Sequence, residues 1–221
     1  MSDLTQRELA ARIATRYRWP SHRSYIRGKL RWDPLFPAIA PLLVDSPRAL
    51  LDIGCGLGLL GQYLREHGFR GRYVGIDLDA RKIGEAQSAA QNELDLEFST
   101  GSATSPPDFR GDVALLDVLH YLPAGHQQLA LAEAAARVTP GGMLVIRNVV
   151  RDASWRFRAT VMEEHFIRAL RWMRYPVTHY PEREEIEAPL RAAGFSTEVR
   201  PLWGSTPFNS YLFIARRDGA T

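Results

Sequence analysis

Short apolar runs alternate with helical repeats through the middle of the chain. The apolar runs have the length of buried strands and cover Ala49–Ile53, Arg72–Ile76, Leu94–Ser99, Val113–Asp117 and Met143–Val149. Helical periodicity occupies Leu59–Glu66, Ala80–Asn92 and Gly125–Val138, with a short or irregular crossover near Ser105–Phe109. Because strands that alternate with helices usually pair in parallel, the pattern predicts an α/β domain around a parallel sheet.

The N-terminal segment has a different pattern. It predicts a helix over residues 4–18 that is stopped by Trp19-Pro20, and a short apolar helix that ends at Val44. Between them lies a basic and aromatic connector, Tyr25–Pro34, with Gly28 as a flexible point.

The C-terminal segment departs from simple alternation. A long helix is predicted over Arg151–Arg174, and its apolar stripe consists of Trp155, Ala159, Met162, Phe166 and Met173. A second helix, Glu182–Ala193, is predicted to kink or restart at Pro189. Two strands, Ser196–Leu202 and Ser210–Ala215, then predict a terminal hairpin.

Composition and charge are those of an ordinary globular protein, with 45% hydrophobic and 24% charged residues. The formal net charge is +3, and residues 1–33 hold eight basic residues against three acidic ones. A local excess of this kind can attract an acidic partner. The chain has no apolar run long enough to span a membrane, and its N-terminus lacks a signal-peptide pattern, so we expect a bacterial cytoplasmic protein. The single cysteine, Cys55, lies in a glycine turn, where its small size is expected to matter more than its thiol.

The most informative segment is the glycine turn that follows the first predicted strand. Asp52 is followed by Gly54, Gly56 and Gly58, a spacing that turns a strand tightly into a helix and lets backbone approach a ligand. Gly56, Gly58 and Gly61 also fit the Gly-x-Gly-x-x-Gly fingerprint of dinucleotide-binding proteins. Asp52 decides between the ligands, because a carboxylate repels a pyrophosphate but attracts the ammonium and sulfonium groups of S-adenosylmethionine. The segment resembles the first motif of the class I S-adenosylmethionine-dependent methyltransferases.

Later segments resemble the same family. Asp77 ends the second strand, where a carboxylate accepts both ribose hydroxyls of NAD as well as of S-adenosylmethionine, so it indicates a nucleoside and not a reaction. Ser102 stands where the family usually has an acid for the adenine amino group. The stretch from Asp117 to Tyr121 resembles the loop that lines the methyl-transfer site. The resemblance implies these cofactor-binding residues: Lys29, Asp52, Gly54, Cys55, Gly56, Gly58, Asp77, Leu78, Ser102, Ala103 and Asp117.

The resemblance also implies a fold and a domain plan. It predicts a Rossmann-like, doubly wound sheet of seven strands, mostly parallel, with an antiparallel C-terminal strand. Residues 1–47 are predicted to form a helical lid, in which Lys29 or Arg27 holds the methionine carboxylate. Residues 48–221 are predicted to form the methyltransferase domain, with a helical insertion at about 151–180.

The predicted catalytic residue is His120, because an imidazole has an ordinary pKa near neutrality and can act as a base. The alternative is that His120 and Tyr121 only pack against the bound cofactor. Methyl transfer depends mainly on alignment, so a dedicated base is optional. The candidate substrate-binding residues are Tyr25, Tyr121, Arg147, Arg151 and Trp155. Arg147 can instead be an ion-paired residue at the end of its strand, and Asp117 can be structural. We predict no metal site.

Two segments, the Arg27–Pro34 connector and Pro207–Phe213, resemble methyltransferases of bacterial aryl-polyene and xanthomonadin-type biosynthesis. That resemblance implies secondary metabolism and an aromatic or polyketide-like small-molecule acceptor, carried on an acyl carrier protein. A row of arginines, Arg168, Arg171 and Arg174, suits an acidic carrier, and equally suits a solvated helix face.

Other functions are compatible with parts of the sequence. The basic ends favour methylation of RNA or DNA, but Asp117-Val-Leu-His replaces the Asn-Pro-Pro-Tyr element and no nucleic-acid module is evident, so we do not expect a nucleic-acid partner. A non-catalytic, cofactor-binding regulatory subunit is compatible with Ser102 in place of the acid. An NAD-dependent enzyme is disfavoured by Asp52.

Overall fold

Seven strands and eight α-helices occur in the part of the chain that the computed structural model describes, residues 5–169, 177–204 and 206–219. Of residues 163–169 only the backbone is described. The helices are α1 Gln6–Thr15, α2 Pro20–Trp32, α3 Leu35–Leu43, α4 Leu59–Glu66, α5 Ala80–Ala89, α6 Ala124–Arg137, α7 Trp155–Ala169 and α8 Arg183–Ala192. The strands are β1 Leu50–Ile53, β2 Tyr73–Asp77, β3 Leu96–Thr100, β4 Asp112–Leu116, β5 Met143–Val149, β6 Phe195–Pro201 and β7 Ser210–Arg217. One 3₁₀ turn covers Leu119–Tyr121.

The chain divides into two compact units, Met1–Ser102 and Ala103–Thr221. In the first unit β1 pairs in parallel with β2, and β2 pairs in parallel with β3. Asp52 lies opposite Gly75 in this register. All four side chains of β1 are buried, as expected for a strand covered on both faces.

In the second unit β4 pairs in parallel with β5. Strand β7 is antiparallel to both β5 and β6, so the predicted terminal hairpin is confirmed. All seven residues of β5 are buried, including the polar Arg147 and Asn148. The strand order in the sheet is β3-β2-β1-β4-β5-β7-β6. The predicted doubly wound, mostly parallel sheet of seven strands is therefore confirmed.

The structure corrects the prediction of a connector with a hinge at Gly28. Helix α2 runs without interruption from Pro20 to Trp32. Pro20 starts this helix, because the first helical position needs no N–H donor. Ile26 and Leu30, one turn apart, are fully buried. Their burial outweighs the modest helical cost of Gly28.

The structure differs at two points from the predictions for the C-terminal helices. Helix α7 begins at Trp155 rather than at Arg151, and two members of the predicted apolar stripe, Trp155 and Met162, are 64% and 73% exposed. The Phe166 side chain is not described, and Met173 lies outside the described residues. Helix α8 continues through Pro189 without restarting. The carbonyl of Glu185, which loses its helical donor to the proline, accepts a hydrogen bond from Gln128 Nε2 at 3.0 Å instead.

Candidate active site

The glycine turn joins β1 to α4 in the first unit. Gly54, Gly56 and Gly58 all have positive φ angles, of 82°, 55° and 74°. At Gly58 a Cβ atom would lie 2.5 Å from the Phe98 ring, whereas at Gly56 the nearest atom would be 4.0 Å away. A side chain at position 58 would both strain the backbone and displace Phe98. Gly58 therefore needs to be glycine for two reasons, its left-handed backbone and its contact with Phe98.

Asp52 is buried directly before this turn, 2% exposed. The Tyr73 hydroxyl donates a hydrogen bond to its Oδ2 atom. The other oxygen, Oδ1, is buried and has no hydrogen-bond partner among the described residues. Burial raises the pKa of Asp52 to about 7, with the hydrogen bond from Tyr73 opposing the rise and the charge of Asp77 adding to it.

Asp77 lies at the end of β2, as predicted. Its Oδ2 accepts the Gly56 N–H at 2.9 Å, and its Oδ1 accepts the Asp79 N–H at 2.8 Å. A carboxylate has about four acceptor sites, so two are left for ligand hydroxyls. Asp79 caps α5 through the Arg81 N–H, so the structure gives the helix-capping role to Asp79.

The remaining predicted cofactor residues of the first unit lie around these two acids. Leu78 follows Asp77 and is 62% exposed. Ser102 follows Gly101, whose N–H donates to the Asp77 carbonyl at 3.1 Å. Cys55 is buried, and burial raises the pKa of its thiol, which keeps it protonated.

The N-terminal helices are attached to the glycine turn. The buried Tyr17 hydroxyl donates to the Leu57 carbonyl at 2.7 Å. His22 on α2 lies 3.4 Å from Glu85 on α5. Lys29 forms an ion pair with Asp33 at 2.6 Å, and Tyr25 is 53% exposed. The structure thus places Lys29 and Tyr25 on one helix of the first unit.

Asp117 lies just beyond β4 in the second unit and has a positive φ of 58°. Its N–H donates to the Arg147 carbonyl at 2.8 Å, and its Oδ2 accepts from Arg147 Nη1 at 3.0 Å. A non-glycine residue in the left-handed region is uncommon, and such residues cluster at functional sites. Arg147 is therefore ion-paired, one of the two roles predicted for it.

His120 lies in the 3₁₀ turn and is 6% exposed. Its Nδ1 atom lies 2.9 Å from Asn148 Oδ1, and Asn148 Nδ2 donates to the Val149 carbonyl at 2.8 Å. Burial lowers the pKa of His120, with Asp117 and the hydrogen bond to Asn148 opposing the change and Arg147 adding to it. His120 is therefore neutral near pH 7.

Aromatic side chains surround the His120 ring. The Tyr121 ring lies 4.2 Å from it, tilted by 45°, and the Tyr180 ring lies stacked at 6.2 Å. Phe157 contacts Tyr180 edge to face at 5.3 Å. Buried Gln127 holds this region together through Nε2, which donates to the carbonyls of Leu119, Leu122 and His179. The second unit thus presents an apolar, aromatic surface beside a neutral imidazole.

The last predicted substrate residues lie at the start of the C-terminal segment. Arg151 forms ion pairs with Glu182 at 3.1 Å and Glu185 at 3.8 Å. Trp155 is exposed, and the guanidinium of Arg156 lies over its ring at 4.8 Å. Ala103 is buried at the start of this unit.

Sequence reasoning gave no site role to Tyr73, Gln127 or Tyr180. Tyr73 has no local signal, because its partner lies on another strand. Gln127 does have a local signal, because it is a polar residue on the buried side of α6, where a side chain needs hydrogen bonds.

The residues present fit S-adenosylmethionine. An ammonium group can donate to the orphan Oδ1 of Asp52, whose lack of a partner is costly without a ligand. The free acceptor sites of Asp77 suit two ribose hydroxyls. The glycine turn lets backbone come close to both groups.

Comparison with known proteins agrees with this fit. Residues 50–142 match the model of a methyltransferase domain family. The matched residues include the glycine turn, Asp52, Asp77, Asp117 and His120 of the candidate site.

Relatives of the chain carry methyltransferase names. The "Probable methyltransferase ltbC" of Aspergillus luteorubrus is 28% identical over 189 residues, 72% of this chain and 62% of that protein, so the match spans less than two thirds of the relative. The demethylmenaquinone methyltransferase of Deinococcus radiodurans is 29% identical over 181 residues, 75% of each chain.

A solved structure shares the fold. The magnesium protoporphyrin IX methyltransferase from Synechocystis, which has S-adenosylhomocysteine bound, superposes with a TM-score of 0.64 and 21% identity, covering 99% of this chain and 90% of that one. Within the described residues, no helix is long and apolar enough to cross a membrane, and no three His, Cys, Asp or Glu side chains form a metal site.

Proposed function

We propose that the chain is an S-adenosylmethionine-dependent methyltransferase that acts on a small-molecule acceptor. The observation that carries the proposal is the orphan carboxylate oxygen of Asp52, buried beside a turn of three left-handed glycines. The match to a methyltransferase domain supports it, as does the S-adenosylhomocysteine bound by the solved structural neighbour.

The cofactor supplies a methyl group that is already activated by its sulfonium. In this proposal Asp52 binds the ammonium group and Asp77 binds the ribose hydroxyls. The backbone of the glycine turn lies along the cofactor, and Leu78, Ser102 and Ala103 contact the adenine. Ser102 offers a neutral hydroxyl, so adenine recognition depends on backbone groups and apolar contacts. Lys29 is assigned to the methionine carboxylate.

The N-terminal helices are proposed to cover the bound cofactor. Tyr17 and His22 fix the start of α2 to the glycine turn and to α5. Because α2 is continuous through Gly28, any closure moves the helix as a whole. Limited proteolysis of residues 19–34 with and without S-adenosylhomocysteine tests this cover, and identical cleavage counts against it.

The second unit is proposed to bind the acceptor. His120 removes a proton from it, and Tyr121 gives an apolar surface for a planar group. Asp117 is proposed to fix the Arg147 guanidinium beside the site, with Arg151 and Trp155 as further contacts in the same unit.

We assign an aromatic or polyketide-like acceptor, delivered on an acyl carrier protein. The names of two proteins similar to this chain specify a quinone and a porphyrin, both conjugated ring compounds. The carrier proposal rests on the arginines of the C-terminal segment. Arg156 and Arg158 lie on α7, whereas Arg171 and Arg174 lie outside the described residues and the Arg168 side chain is not described.

The experiment is methyl transfer from isotope-labelled S-adenosylmethionine to an extract fractionated for aromatic metabolites. The proposal predicts label in an aromatic fraction with the wild-type protein and much less with Asp77→Ala. Tight cofactor binding without transfer to any fraction would instead support a regulatory subunit.

Carrier docking is tested separately by reversing the charge of Arg168, Arg171 and Arg174. Transfer to a carrier-bound acceptor should slow in a salt-dependent way, while transfer to the free acceptor stays unchanged. Equal loss on both acceptors, or no loss, would contradict docking.

A further inference from the structure

The hydrogen bond between His120 and Asn148 fixes which imidazole nitrogen carries the proton. Asn148 is fully buried on β5, and its Nδ2 donates to the Val149 carbonyl at 2.8 Å. The amide is thereby oriented with Oδ1 toward His120 Nδ1, 2.9 Å away. An amide oxygen only accepts hydrogen bonds, so Nδ1 of the neutral ring must be the protonated nitrogen.

The same argument assigns a lone pair to the opposite side of the ring. In the Nδ1-protonated tautomer Nε2 is an acceptor, and among the described residues it has no hydrogen-bond partner. The ring orientation is restrained by the hydrogen bond of Nδ1 with Asn148 and by the Tyr121 ring, whose centroid lies 4.2 Å away. Nε2 is therefore a fixed proton acceptor.

We propose that Asn148 is a positioning residue that presents His120 Nε2 as the base, and that the acceptor is a hydroxyl compound. This rests on the proposed function. The acceptor O–H bond breaks and its proton goes to Nε2. The oxygen forms the new bond to the methyl carbon, and the pair from the broken sulfur–carbon bond stays on sulfur. A hydroxyl acceptor makes use of such a base, because its proton must leave as the oxygen bonds to the methyl carbon.

Charged and titratable groups around the ring support a neutral base. Asp117 and Arg147 form an ion pair at 3.0 Å. Asp117 raises the pKa of His120 and Arg147 lowers it. Among the described residues, the Tyr121 and Tyr180 rings also lie beside the imidazole, and the backbone N–H of His179 donates to the His120 carbonyl at 3.4 Å.

The test is the ring ¹⁵N NMR spectrum of His120 in the full chain bound to S-adenosylhomocysteine, with His120→Gln used for assignment. The proposal predicts the Nδ1-protonated tautomer at neutral pH. In Asn148→Asp, which keeps an acceptor and adds a charge, the pKa of His120 should rise by about one to three units. Unchanged binding of S-adenosylhomocysteine shows that the variant is folded.

An Nε2-protonated ring in the wild-type protein, or an unchanged His120 pKa in Asn148→Asp, would overturn the positioning role. These readouts need no acceptor, so they stand even if no methyl transfer is found and the proposed function fails. The acceptor class is tested with ¹³C-methyl-labelled S-adenosylmethionine. A labelled methyl ether or ester is expected, and a methyl on nitrogen or carbon overturns it.

The kinetic arm uses the acceptor fraction labelled in that assay. His120→Gln should lower kcat by about 10²–10⁴-fold with little change in KM. In Asn148→Asp the acid limb of the kcat/KM profile should move to higher pH together with the NMR pKa. A limb that stays in place would contradict the assignment of His120 as the base.

Discussion

The Tyr73 hydroxyl donates a hydrogen bond to Asp52 Oδ2 and leaves Oδ1 as the buried oxygen that a ligand can reach. Tyr73 and Gly75 lie on the same face of β2, and Gly75 is the register partner of Asp52. A Cβ atom at Gly75 would lie 2.6 Å from the Phe98 ring and 2.9 Å from Cys55 Sγ, so glycine at this position makes room for those two side chains. Strand β2 therefore orients the Asp52 carboxylate of the neighbouring strand β1 and leaves one of its oxygens without a partner among the described residues.

The first prediction concerns the pH dependence of cofactor binding. Because the pKa of Asp52 is raised to about 7, the carboxyl is largely protonated at pH 6 and loses its attraction for an ammonium group. S-adenosylhomocysteine should bind about tenfold more weakly at pH 6 than at pH 8. Titration calorimetry at both pH values checks this, with Asp52→Asn as the control that should bind weakly at both. Equal wild-type affinities would contradict it.

A second prediction concerns the stability of the ligand-free protein. The pKa of Asp52 lies above its ordinary value of 3.8, so its contribution to stability is full below 3.8 and is lost as the pH rises through 7. At pH 8 the buried charge costs on the order of 1–4 kcal/mol. Asp52→Asn should therefore be more stable than wild type at pH 8 while losing cofactor affinity. Urea unfolding at pH 5 and pH 8 measures this, and an equal difference at both pH values would refute the charge as its cause.

Gly58→Ala and Gly28→Ala form a matched pair for the third prediction. Alanine at position 58 needs a φ of 74° and meets Phe98, so Gly58→Ala should lose about 2–4 kcal/mol of stability. Gly28 lies inside α2, and nothing lies within 4 Å of a Cβ there, so Gly28→Ala should gain about 0.5–1 kcal/mol. Thermal and urea unfolding compare the two.

Two further results sharpen this pair. Gly58→Ala combined with Phe98→Leu should recover part of the loss, since the shorter side chain relieves the contact but not the backbone strain. If Gly28→Ala lowers stability, or abolishes methyl transfer while stability is unchanged, the result would support a hinge at Gly28 and contradict the prediction.

Much of the fold followed from local pattern. Strands such as β1 and β5 are short apolar runs between turn signals. The spacing of Gly54, Gly56 and Gly58 after Asp52 predicted a turn that binds a ligand with a positively charged group. Asp77 was predictable because a buried strand that ends in a carboxylate places it at the edge of the sheet where ligands bind.

Two of the differences come from packing between segments distant in sequence. Gly28 was predicted as a hinge from its conformational freedom, but burial of Ile26 and Leu30 keeps the helix continuous. The contact of Tyr73 with Asp52 depends on strand register, which local pattern does not specify. Trp155 was placed on an apolar stripe by its spacing, yet it is exposed and the Arg156 guanidinium lies over its ring.

The central claim, an S-adenosylmethionine site built on Asp52 and Asp77, is tested most directly by calorimetric titration with S-adenosylhomocysteine. NAD is the competing ligand, and Glu97→Gln, which alters an exposed acid on β3, is the control variant. The wild-type protein and Glu97→Gln should bind S-adenosylhomocysteine equally and much more tightly than NAD. Asp77→Ala should lose about 1.5–3 kcal/mol, or about 10- to 150-fold in affinity. Tighter binding of NAD, or full affinity in Asp77→Ala, would contradict the claim.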